Sequence, residues 1–149
     1  MKYSRFAAMI ATSTIVMFVL MYLNVYSIAH VHWSETRAYM ALVMGSTMAI
    51  IMLAFMLGMY ANRKLNLAIF AGSAVVFAVA LYLARSQDTV EDVAWMRAMI
   101  PHHSIAILTS ERANITDPRV QKLADQIISS QRQEISEMEA LIRELKARN

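Results

Sequence analysis

The chain has 149 residues, 58% of them apolar and 17% charged, with three Gly, two Pro and no Cys. That profile suits long helices better than strands and turns, and the absence of thiols excludes disulfides, zinc–thiolate centres and cysteine nucleophiles. Residues 1–86 carry six bases (Lys2, Arg5, Arg37, Arg63, Lys64, Arg85) against the acid Glu35, while residues 87–149 carry eight bases against ten acids; the net charge of +3 thus comes from bases flanking apolar runs, and no nucleic-acid partner is expected.

In chain order, three apolar runs come first, at about 6–28, 39–60 and 65–83. Each is long enough to cross roughly 30 Å of hydrocarbon as a helix. The first is too long for the apolar region of a leader peptide and lacks a small-residue cleavage site after it, so it reads as a retained span. Lys2 and Arg5 precede the first run, and Arg63 and Lys64 separate the second from the third. Basic clusters stay on the cytoplasmic side, so a multi-pass protein of a bacterial inner membrane is expected. Its N-terminus would be cytoplasmic, with the His30–Arg37 loop and everything after Arg85 extracytoplasmic. Tyr22, Tyr26, Trp33, Tyr39 and Tyr82 would lie at the outer interface, and Tyr3 and Tyr60 at the inner one.

From residue 87 onward the pattern changes. Residues 91–112 read as one amphipathic helix, 114–118 as a turn and 119–147 as a second helix. Asp117-Pro118 is a start signal, a capping oxygen followed by the residue best tolerated at the first helical position. Val120, Ala124, Ile127, Gln131, Ile135, Met138, Ile142 and Leu145 recur at three- and four-residue steps, as along a bundle seam. The expected fold is all-α, with a membrane domain over 1–86 and a two-helix segment over 87–149. Two helices make a thin core, so a second copy is expected to complete a four-helix bundle as a homodimer or higher oligomer.

The chemistry concentrates in the first of these two helices. Asp92, Met96, Met99 and His103 fall within roughly 60° of helical arc, with His102 at the edge of the stripe. Thioether and imidazole are neutral, soft-to-borderline donors that suit Cu(I) where no cysteine exists, and a carboxylate can orient an imidazole through its other nitrogen. Gln131, Glu134 and Met138 lie on or beside the seam of the partner helix. Pro101 falls inside the pattern, frees the Arg97 carbonyl and is expected to bend the helix. On spacing alone, methionines on an amphipathic face also serve as core filler.

The run Asp92…Trp95-Met96…Met99-Ile-Pro-His-His…Ala106, followed by Asp117-Pro118-Arg-Val…Leu123-Ala124…Gln131…Glu134-Ile135…Met138…Leu141, resembles the domain-of-unknown-function 305 family over roughly residues 88–146. The resemblance implies a ferritin-like fold and a copper-binding role of the CopM type. It implies Met99, His102, His103 and Met138 as leading metal ligands, with Met96, Asp92 and Glu134 behind them and Gln131 in support. Longer members carry two such hairpins where this chain carries one. A di-iron centre is not expected, because no Glu stands three residues before a His.

Met40, Met44, Met48, Met52 and Met56 recur every four residues in the second span, with Met17 and Met21 in the first. Adaptable thioethers pack helix interfaces well, and that reading is preferred for the row. His30, His32, Met40 and Met44 fall on the same expected side as the hairpin and make a second candidate metal surface. The expected function is a membrane-anchored copper-binding protein for copper tolerance or handling, with Cu(I), or the similarly soft Ag(I), as cargo. The alternative is a membrane interaction protein that dimerises through its hairpin without metal. An enzyme is not expected; a metal oxidase would be the form to consider, since no zinc-protease, phosphate-loop or Ser/His/Asp pattern is present. The spans lack the ionisable residues that proton-coupled transport uses.

Overall fold

The computed structural model describes residues 2–148 and is all-helical there. Five α-helices follow in order: α1 Tyr3–Leu20, α2 Glu35–Phe55, α3 Arg63–Ser86, α4 Asp92–Arg112 and α5 Pro118–Arg148; short 3₁₀ turns occupy Ile28–His30 and Leu57–Met59. α1, α2 and α3 are long and apolar enough to cross a membrane. By contacts the chain forms two units, Met1–Met21 with Thr36–Thr89, and Tyr22–Glu35 with Val90–Asn149.

In the first unit, Phe6, Ala49, Leu53 and Tyr60 form the core, with Met52 and Met56 packed against it. A small residue lets two of the helices approach closely: a Cβ on Gly45 would collide with the Thr14 side chain. Asn66, a polar residue at the start of an apolar run, is buried but satisfied. It accepts from Tyr3 Oη at 2.8 Å and donates Nδ2 to the Tyr60 carbonyl at 2.9 Å. Asn62 caps α3 by accepting from Leu65 N at 3.0 Å.

The apolar run expected to reach residue 28 is helical only to Leu20. The reason is distant in sequence: the Arg37 guanidinium donates to the Met21 carbonyl at 2.8 Å. A cation thus satisfies a terminal carbonyl that would otherwise call for another turn. The second helix begins and ends about one turn earlier than the apolar run suggests, and the third is longer at both ends.

The second unit is a helical hairpin joined by the connector 22–35. Met96, Ile100, Ile107, Ile135, Met138 and Ile142 fill the space between α4 and α5. Asp117 stands just before α5 and accepts from Arg119 N at 2.8 Å, the expected cap. α4 continues through Pro101. The seam of α5 runs as expected through Ala124, Ile135, Met138 and Ile142, while Ile128 packs on the core and Val120 is exposed.

Candidate metal centre

Helical spacing places Met96, Met99 and His103 on successive turns of α4. Met96 is 5% exposed and Met138, from α5, 7% exposed; both are core side chains, with half-buried Met99 packed against them. His103 lies next to this sulfur-rich core. Its Nε2 is 2.7 Å from Glu134 Oε2 and its Nδ1 is 3.0 Å from the Met99 carbonyl. Both neighbours accept hydrogen bonds, so the ring serves both only when each nitrogen carries a proton. For Nε2 to take a metal, it must first give up Glu134 and a proton.

Glu134 also accepts from Ser130 Oγ at 2.6 Å. That hydroxyl, and then the His103 ring, hold its carboxyl below the usual glutamate range. The carboxylate that orients His103 is therefore Glu134. Asp92 stands eleven residues away, about 16 Å along the helix by rise. It is exposed in an open groove of about 550 Å³ with Trp95, Met96, Leu141, Glu144, Leu145 and Arg148. His102 is exposed, its ring centroid 6.3 Å from that of His103. Gln131 is half-buried on α5, one turn before Glu134. The side chains brought into direct contact are thus His103 and Glu134, with Met99 adding its backbone carbonyl to His103 and packing on the core of Met96 and Met138.

The second candidate surface is split between the two units. Met40, exposed, and Met44, half-buried, belong to α2 in the first unit. His30 and His32 belong to the connector in the second. His30 Nδ1 is 2.9 Å from Ser104 Oγ, and the same oxygen accepts Tyr26 N–H at 2.7 Å. Ser104 is fully buried. The Arg132 guanidinium lies over the Tyr26 ring, 5.9 Å from its centroid. His32 Nε2 is buried without a hydrogen-bond partner. Burial foremost, then the Arg97 charge, push the His32 pKa down, with His30 and Lys146 adding to the effect and Glu139 opposing it. Ser104 was not singled out from the sequence, although a hydroxyl on the buried arc of an amphipathic helix must find a partner. Among the described residues no three His, Asp or Glu side chains converge as a metal site.

The profile of a family described as a domain of unknown function, DUF305, matches residues 80–147. An uncharacterized protein of Acanthamoeba polyphaga mimivirus is 35% identical over 113 residues, covering 74% of this chain and 72% of the relative. That alignment is longer than the family segment, so the likeness extends into the apolar helices. No solved structure matches significantly.

Proposed function

The chain belongs to the DUF305 family, and on that footing we propose that it is a membrane-anchored protein whose hairpin binds Cu(I), or Ag(I), in copper handling or tolerance. The observation that carries this reading is the His103–Glu134 pair one helical turn from Met99, a methionine packed on the core that holds Met96 and Met138. Thioether and imidazole without thiolate or clustered carboxylates are a donor set for a soft monovalent ion. His102, exposed beside His103, is a further donor within reach of an incoming ion. Capture by His103 Nε2 would free Glu134 and release a proton, making uptake weaker in acid.

The hairpin is read as half of a ferritin-like, CopM-type bundle, completed by a second copy. Support comes from its open flank, where Trp95, Leu123 and Leu141 are 49%, 55% and 42% exposed. With Lys2, Arg5, Arg63 and Lys64 on the cytoplasmic side of a bacterial-type inner membrane, the hairpin would be extracytoplasmic. The test is a Cu(I) titration of the full chain in detergent against a Met99→Ala/His103→Ala variant. Loss of the hairpin site's share of the uptake in the variant is the expected result; an unchanged stoichiometry and affinity would overturn it.

A second reading has its own observation. Both His103 nitrogens are already engaged and two of the sulfurs are core, which is also how an interaction hairpin without metal would use them. That reading expects no uptake in either protein and dimerisation through the exposed flank.

A further inference from the structure

We propose that His30 and His32 form a second, two-imidazole site for a soft monovalent cation, with Ser104 as its positioning residue. The connector lies outside the family segment, and the pair uses none of the donors of the hairpin centre. Val31 between the two histidines is extended, at φ −79° and ψ 105°, and residues on either side of an extended residue project to the same side. One nitrogen of His30 is already committed, since Nδ1 lies 2.9 Å from Ser104 Oγ. The contact admits two directions: when Nδ1–H donates to that oxygen, the Nε2 lone pair is left for a metal, the arrangement by which an outer hydrogen bond fixes the tautomer of a ligating histidine, and metal binding selects that direction. The neighbouring imidazole offers a buried Nε2 with no partner, a polar atom whose burial costs free energy until something satisfies it.

The surroundings select the ion. No third His, Asp or Glu converges on the pair among the described residues, so the four-ligand shell of a structural zinc ion is not provided. Arg97 and Lys146 bear on His32, with Glu139 the opposing charge. Net positive surroundings disfavour a divalent ion about twice as strongly as a monovalent one. Cu(I) and Ag(I) are soft monovalent ions that two imidazoles can hold.

Ser104 directly follows His103, so this site and the hairpin centre have adjacent anchors on α4, and the test must separate them. The full chain, labelled with ¹⁵N in its imidazoles, is titrated with Ag⁺ in detergent and the histidine nitrogens followed by NMR. The expected result is that Nε2 of His30 and of His32 both move on binding, and still move in Met99→Ala/His103→Ala. In Ser104→Ala, helix content should persist by circular dichroism while His30 loses its single-tautomer signature and the affinity of the pair falls about tenfold, as for loss of an outer hydrogen bond. Movement of His103 alone would overturn this proposal and leave the hairpin centre standing. Movement of His30 and His32 alone would do the reverse. A His30 tautomer unchanged in Ser104→Ala would remove Ser104 from the site.

Discussion

Along α2, Met40, Met44, Met48, Met52 and Met56 follow one another at four-residue steps among apolar and small side chains, whereas on α4 Met99 stands one turn from His103 and Met96 two. In the first region Met52 and Met56 pack on the core beside Leu53 and Tyr60. In the second, Met96 and Met138 are more deeply buried, part of the core itself, and a half-buried Met99 and an imidazole–carboxylate pair belong to the same hairpin. The same side chain at a similar period packs a core at Met52 and Met56 and is a candidate ligand at Met99. What separates the two is the company of groups that can orient a metal or exchange a proton.

The sharpest way to break this contrast is to exchange sulfur for carbon in each region. Replacing Met44, Met48, Met52 and Met56 by Leu should leave Cu(I) stoichiometry unchanged in detergent, while Met99→Leu should weaken uptake by at least tenfold. Equal losses would make the α2 row part of the metal path. Next in size is the response of the two cores to a cavity. Ile100 is fully buried in the hairpin, and Ile100→Ala should cost about 2–5 kcal/mol, read by thermal or denaturant unfolding of the hairpin. Leu53→Ala, equally buried in the first unit, should cost less under the proposed membrane location, where separated spans remain in an apolar solvent.

Gly45→Val tests the close approach to Thr14. Overpacking of that kind costs typically about 1–3 kcal/mol, and the expected signature is loosened α1–α2 packing with the hairpin melting transition unmoved. The smallest effect is a pH dependence. Ser130 and His103 depress the Glu134 pKa in the folded state, so their stabilisation is fully present above the ordinary glutamate range and is lost as pH falls below about 4. Hairpin stability should therefore show an acid-side loss that Glu134→Gln reduces, measured as melting temperature against pH. An identical profile in Glu134→Gln would assign the acid sensitivity elsewhere.

Much of this molecule is legible in its local sequence. The hairpin follows from Asp117-Pro118 and from the helical period through Ala124, Ile135, Met138 and Ile142, because caps and amphipathic faces are written within a few residues of where they act. Glu134 could be placed near the site because it sits beside the seam. The end of α1 could not be read, since the cation that satisfies the Met21 carbonyl comes from Arg37, across an irregular segment. Asp92 shares the helical stripe of His103 but lies too far along the axis to orient it, a distinction that angular position alone misses. Docking of His30 on Ser104 was equally hidden, as it depends on two residues with no local pattern in common.

That docking also sets an order of events during synthesis. His30 and Ser104 are 74 residues apart, with α2 and α3 made between them. At about 5–20 residues/s the connector waits roughly 4–15 s for its partner to emerge. Through that interval Tyr26 and His30 have no Ser104 to bind, and two long apolar helices must be accommodated first. The unit that carries the candidate ligands is discontinuous in the chain, begun before α2 and α3 are made and completed after them.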